Sequence, residues 1–260
     1  MRHISLFALV LAAFLLQACY TVPVTGRSAF IMTSVEEEKA LGLEAYNVYK
    51  TNEVILTDYA INNRIKTIGQ RIAKIAEQDT PGMDWDWEFV VFNDSQTANA
   101  WCLPGGKVAV YTGILPYAKN DAQLATVMAH EIGHAVARHG VERMGTETMV
   151  SVLGSVIGSS VSEANADAVL AAYGVGSSLF VTLPFSRDDE YEADQIGMNF
   201  MARAGYDPNE AIKFWENFME AGGSSVPEML STHPSDSNRI AKLKTYLPDN
   251  EALYKKAVGK

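Results

Sequence analysis

Asn120-Asp121-Ala122-Gln123-Leu124-Ala125-Thr126-Val127-Met128-Ala129-His130-Glu131-Ile132-Gly133-His134 is the stretch from which the rest of the chain is read. Asn120 and Asp121 form a capping pair, and helix formers continue to about Met144, so a long helix begins here. His130 and His134 stand four residues apart, about one helical turn, and share a face. Two imidazoles so placed can take two corners of a tetrahedral zinc. Glu131 lies one residue further along, beside the metal position without ligating it, where it can take a proton from an attacking water. The chain holds 5 histidines, so this H-E-x-x-H spacing rarely arises by chance.

A catalytic zinc needs a third protein ligand and an open fourth position. His139 does not fit, because the longer H-E-x-x-H-x-x-G-x-x-H pattern needs glycine where Ala137 stands and histidine where Gly140 stands. On a continuous helix His139 also lies half a turn out of phase with His130 and points away from the metal. Ser186-Arg187-Asp188-Asp189-Glu190-Tyr191-Glu192-Ala193-Asp194 is the better source. Glu190 and Asp194 share a helical face, so one can ligate while the other accepts a hydrogen bond from a liganding histidine. Spacing alone leaves a second reading equally open, that of a solvated acidic helix start.

Upstream, Ser34 and Glu37 make a capping box ahead of a helix to about Lys50. Ile61, Ile65, Ile68, Ile72 and Ile75 write a second helix that ends before Pro81-Gly82. From Asp84 the period changes to two, with Trp85, Trp87, Phe89 and Val91 on one face of a strand. A second extended segment, Lys107 to Thr112, follows the turn at Pro104-Gly105-Gly106. Strands are few and local, so the fold class is α+β, mainly α-helical, with a small sheet beside the active-site helix. Asn99, Ala100, Gly105 and Gly106 lead into a strand edge to which an extended peptide can add through main-chain hydrogen bonds. A hairpin that merely packs is the alternative; beside a zinc motif, binding is the preferred reading. Residues Gly145 to Pro184 are rich in small and apolar types and read as helices covering the active site, either as a lid or as a membrane-contacting element. Helices opened by Asp207-Pro208 and after Pro234 complete the pattern.

The N-terminus reads as an address. Arg2 and His3 precede an apolar run from Ile4 to Leu16, which is too short for a stable span and fits a secretory signal of residues 1–18. Leu16-Gln17-Ala18-Cys19 resembles a bacterial lipobox, which makes Cys19 a lipidation site, and Tyr20 after it points to the outer membrane. Residues 19–34 then read as a tether, with a single domain over 35–260. Cys102 reads as a small core hydrophobe. The formal net charge of −10, from 21 basic and 31 acidic residues, argues against nucleic-acid binding, which needs clustered Lys and Arg.

His130 to His134, Glu190-x-x-Ala193-Asp194, Asn99-Ala100 with Pro104-Gly105-Gly106 and Val110-Tyr111-Thr112-Gly113, and Thr232-His233-Pro234 together resemble the gluzincin family of HtpX and the CAAX prenyl proteases. Within it the chain is similar to the soluble lipoprotein branch of BepA and LoiP type. The resemblance covers about residues 35 to 245 and implies a zincin-type metalloprotease domain holding one Zn2+. It implies Glu190 as third ligand and Asp194 as the partner that orients a histidine. His233, in the Thr-His-Pro element, is then either a fourth ligand in a resting enzyme or a stabiliser of the oxyanion, and the resting ligand is preferred. The expected function is hydrolysis of peptide bonds in misfolded or unassembled envelope proteins, by an enzyme anchored through lipid to the outer membrane and facing the periplasm. A contact with the envelope assembly machinery is compatible with this. The competing expectation is a zinc-containing chaperone or assembly factor for outer-membrane proteins that cuts little.

Overall fold

A computed structural model describes residues 19–146, 181, 184–221, 228–233 and 237–259. The expected signal of residues 1–18, most of the Gly145 to Pro184 segment and Pro234 lie outside the described residues. Two short strands open the described chain: β1 (Cys19–Thr21) and β2 (Ser28–Phe30). Helices α1 (Val35–Asn52) and α2 (Tyr59–Asp79) follow, then β3 (Glu88–Phe92), β4 (Ala100–Leu103) and β5 (Lys107–Tyr111). The motif helix is α3 (Asp121–Ala137), and the remaining helices are α4 (Arg187–Arg203), α5 (Asn209–Ala221), α6 (Glu228–Thr232) and α7 (Ser237–Ala257).

The expected caps are present at two helices: Ser34 and Glu37 close the capping box of α1, and Asn120 accepts from the Gln123 amide at the head of α3. A further capping box, Ser186 with Asp189, opens α4. The stripe of α2 is buried at Ile65, Ile68 and Ile72 and faces the core. No helix among the described residues is long and apolar enough to cross a membrane.

The larger sheet has the order β3-β5-β4, with β3 parallel and β4 antiparallel to β5. This keeps the small sheet with an antiparallel edge beside α3, and corrects two expectations. The strand after Asp84 starts only at Glu88, and it is not half-buried with period two, because Val90, Val91 and Phe92 are all buried. Trp85 and Trp87 precede it and stack on each other at 4.7 Å. Second, Lys107 to Tyr111 is the central strand, paired on both sides, so it is no edge; the edge beside the motif helix is β4. Gly105 and Gly106 form the turn between β4 and β5, with φ +80° and +88° and the Gly106 amide donating to the Leu103 carbonyl at 3.2 Å. Their left-handed backbone favours glycine, and their role is to reverse the chain.

A third correction concerns residues 19–34. They do not form a free tether. β1 and β2 pair antiparallel, Cys19 with Phe30, Tyr20 with Ala29 and Thr21 with Ser28. Val22, Ala29 and Ile31 are buried in the common core, and the Tyr20 hydroxyl donates to the Val136 carbonyl of α3 at 2.8 Å. Alternation in Tyr20-Thr21-Val22 and Ser28-Ala29-Phe30 carries this hairpin, but three-residue strands are too short for the period to stand out.

The centre of the molecule is the pairing of α3 with α4. A Cβ on Gly133 would lie 2.9 Å from the Ala193 carbonyl oxygen, and one on Gly197 would lie 2.9 Å from the His130 amide nitrogen. Both distances are closer than side-chain carbons tolerate. Glycine at these two crossings lets the backbones approach, which brings the acids of α4 onto the histidines of α3.

Candidate metal centre

His130 and His134 from α3, Glu190 from α4 and His233 just after α6 converge so that one ligand atom from each lies within 4.8 Å of all the others, and all four are buried. The two motif histidines meet with Nε2 atoms 3.2 Å apart. Glu190 reaches His130 Nε2 at 3.3 Å and His134 Nε2 at 3.4 Å. His233 Nδ1 stands 3.3 Å from His130 Nε2 and 3.0 Å from Glu190 Oε1.

These separations decide whether zinc fits. Zinc ligands at about 2.0–2.1 Å in a tetrahedron stand about 3.3 Å from one another, which is the spacing seen between these atoms. The donor set of three imidazoles and a carboxylate is also a zinc set. Glu131 Oε1 is buried without a hydrogen-bond partner, and a cation between the donors gives such an oxygen a favourable field. Three buried carboxylates, Glu131, Glu190 and Asp194, crowd around one buried guanidinium, Arg239, so the centre is short of positive charge. Burial and Arg239 push the His130 imidazole down, yet Asp194 and Glu190 bring it up to about 9. His134 is held well below its usual value by burial.

Glu131 sits at the cluster without joining it. Its Oε1 lies 3.5 Å from His233 Nε2, and burial raises its carboxyl above the ordinary range, as suits a base that must also act as an acid. Burial raises Glu190 too, but the charges of His233 and Arg239 outweigh it and hold that carboxyl well below the ordinary range. It therefore stays ionised, as a ligand requires.

Behind the donors, Asp194 Oδ1 lies 3.0 Å from His130 Nδ1. Sequence reasoning missed what holds Asp194. Arg239 of α7 donates from Nε to Asp194 Oδ2 at 2.6 Å and from Nη2 to Oδ1 at 2.8 Å, and its Nη1 is 3.2 Å from Glu190 Oε2. The guanidinium lies 3.5 Å from the Trp215 ring centroid, which seals it from solvent. No periodicity marks Arg239, since it is an apparently ordinary helix cation until α7 packs on α4. Phe185 was missed as well; its ring stacks on His134 at 4.0 Å.

His139 departs from its expected orientation. It does not face away, because α3 is not continuous: Arg138 adopts a left-handed conformation at φ 61° and caps the helix after Ala137. Helix resumes at 139 in a new direction, and His139 Nδ1 comes to 2.9 Å from His134 Nδ1. It remains outside the donor set, as expected. Of the edge residues, Asn99 and Ala100 are buried at the start of β4, while Gly105 and Gly106 stand at its other end.

The profile of Peptidase family M48 matches residues 60–247. The chain belongs to that family. It is similar to the mitochondrial metalloendopeptidase OMA1 of Saccharomyces cerevisiae, 35% identical over 254 residues that cover 90% of this chain and 71% of that protein. It is 42% identical to the Arabidopsis thaliana protein of the same name over 167 residues, 64% of this chain and 33% of the relative. The beta-barrel assembly-enhancing protease of Escherichia coli is 30% identical over 230 residues, 85% of this chain and 46% of that protein. The chain thus spans most of the yeast relative but less than half of the latter two. Family, relatives and donor set together make it a zinc metalloendopeptidase, in agreement with the gluzincin resemblance read from the sequence.

Proposed function

We propose that this chain is an exported, lipid-anchored endopeptidase of the cell envelope that cuts misfolded or unassembled envelope proteins from the periplasmic face of the outer membrane. The observation that carries the catalytic part is the buried Glu131 carboxyl, raised by burial and set beside four converging donors. His130, His134 and Glu190 hold the zinc, and Asp194 orients His130. When bound, zinc supplies a Lewis acid for the peptide carbonyl and for the attacking water. Glu131 takes the water's proton at a carboxylate oxygen and returns it to the leaving nitrogen. Water attacks directly, so no covalent intermediate with the protein forms. An extended substrate lies along β4, the edge strand that Asn99 and Ala100 open and that Gly105 and Gly106 close.

His233 is the resting occupant of the fourth place. Its Nδ1 stands among the donors at 3.0–3.3 Å, which favours this role over that of an oxyanion donor, and it must withdraw for substrate to enter. This closed donor set also sustains the second reading, an assembly factor that cuts little. The test is cleavage of an unfolded reporter protein by the full chain, with and without a chelator, beside Glu131→Gln. Chelator-sensitive cleavage that Glu131→Gln abolishes by a factor on the order of 10² to 10⁴ while zinc is retained supports the enzyme. Zinc-loaded protein that never cuts, yet assists assembly, supports the second reading. His233→Ala raises basal cleavage on the resting-ligand role, and lowers it by roughly 100-fold on the oxyanion role.

The address rests on the lipobox-like Leu16-Gln17-Ala18-Cys19 and on the similarity to the beta-barrel assembly-enhancing protease. Because Cys19 opens β1, a lipid there leaves the domain almost no slack above the membrane. Cys19→Ala is expected to move the protein from the membrane to the soluble fraction with its melting temperature unchanged; retention on the membrane after a carbonate wash refutes the anchor.

A further inference from the structure

The two motif histidines need different outer partners, and the one behind His134 is unexpected. His134 Nδ1 faces another imidazole, His139 Nδ1, at 2.9 Å. On its far side His139 Nε2 lies 2.9 Å from Glu192 Oε2. Glu192 in turn accepts from the Thr25 hydroxyl on Oε1 at 2.5 Å and from Arg27 Nε on Oε2 at 2.6 Å. Thr25 and Arg27 belong to the β1–β2 connection. Arg27 is fixed again by Glu142, with Nη1 2.8 Å from its Oε2, and Glu142 also accepts from the Phe30 amide at 3.3 Å.

The proton pattern of this line is determined from both ends. If His134 presents Nε2 to the metal, its proton is on Nδ1, so His139 Nδ1 must be the acceptor and carry a lone pair. The His139 proton is then on Nε2 and donates to Glu192, which as a carboxylate can only accept. Thr25 and Arg27 donate to two further lone pairs of Glu192. Each link thus fixes the tautomer of the next, and the side chain of His139 is fully enclosed, so water cannot substitute for it.

We propose that His139 is a positioning residue for zinc, holding the tautomer and ring plane of His134, and that the N-terminal hairpin, through Thr25, Arg27 and Glu192, holds His139. The inference rests on the metal-centre reading above. It makes the hairpin part of the zinc site, although none of its residues approaches the donors.

The experiment is chelator competition for zinc on the full chain, carried out in the Glu131→Gln background so that self-cleavage cannot intervene. If the parent protein binds no zinc, the metal-centre reading fails and not this inference alone. With the parent binding, His139→Leu is expected to weaken zinc by about 10 to 100-fold. His139→Asn, whose amide oxygen can still accept from His134, is expected to recover part of the loss. Nitrogen-15 NMR of the zinc-loaded protein adds a signature: a downfield His134 Nδ1 proton that His139→Leu removes. A purely structural role lowers the melting temperature of His139→Leu without changing zinc affinity or that resonance, and this result overturns the proposal. If His139→Leu does not fold, Thr25→Val and Glu192→Gln decide. Weakening of zinc by either, in protein that remains folded, supports the proposal; unchanged affinity in both overturns it.

Discussion

His130 and His134 do the same work from the same helix face, yet the structure backs them in opposite ways. His130 rests on Asp194, which arrives from the next helix together with the candidate donor Glu190 and is locked by a fully buried Arg239 under Trp215. His134 rests on a second histidine, a carboxylate and then a surface hairpin whose Arg27 side chain is about a third exposed. One side is short, deep and charge-compensated within the helical core. The other is long and ends at the N-terminal strands. The contrast teaches that the rigidity of a metal site need not be symmetric: part of it is carried by core packing and part by an element at the periphery.

Removing a donor erases the contrast altogether. Glu190→Ala is expected to empty the site, since a single loss affects the ligand shared by both histidines; metal analysis of the purified protein checks this, and stoichiometric zinc would refute the assignment of Glu190. Next in size is Asp194→Asn. It should weaken zinc by about 10 to 100-fold and also destabilise the protein by roughly 3 kcal/mol or more, because Arg239 stays buried without its main partner. Denaturant melts of the zinc-free protein measure the second effect. Glu192→Gln should be milder in both, and equal losses on the two sides would abolish the asymmetry.

Acid sharpens the same comparison. Burial raises the Glu192 carboxyl, but hydrogen bonds from His139, Thr25 and Arg27 bring it down to about 2. A carboxylate lowered in the folded state adds stability that is fully present above its unfolded value of about 4.5 and is lost as pH falls through about 2. The zinc-free protein should therefore lose roughly 2–3 kcal/mol from this residue across that window. Its melting temperature advantage over Glu192→Gln should shrink to nothing near pH 2, and a constant advantage would show that Glu192 is not the group concerned. Smallest of all is Arg27→Ala. As Arg27 is about a third exposed, its loss should cost about 0.5–1 kcal/mol, with a modest fall in zinc affinity, and no change in affinity would detach Arg27 from the line to His134.

The local rules were legible wherever one segment contained the whole cause. Caps at Ser34 and Asn120, the isoleucine stripe of α2 and the four-residue spacing of His130 and His134 are all statements about neighbours on one helix, and the structure agrees with each. The acids of α4 were half legible. Their spacing put Glu190 and Asp194 on one face, but spacing left a solvated helix start equally open, and burial of that face against α3 resolved it. Residues 19–34 look like a tether in the sequence because three-residue strands hardly show their period and their pairing is felt only across a turn.

By itself, then, the chain determined which residue types stand where on a helix: a histidine pair with an acid between them on α3, and two acids four apart on α4. What only the tertiary structure decided was everything that depends on chain direction after a break or on contact between distant segments. A left-handed Arg138 turned His139 from an outward position onto His134, two glycines brought α3 and α4 close enough for Glu190 to reach both histidines, and α7 delivered Arg239 to Asp194. The physical reason is common to all three. Helical periodicity propagates only as long as the backbone is unbroken, whereas a buried charge is positioned by whichever partner folding places within about 3 Å of it.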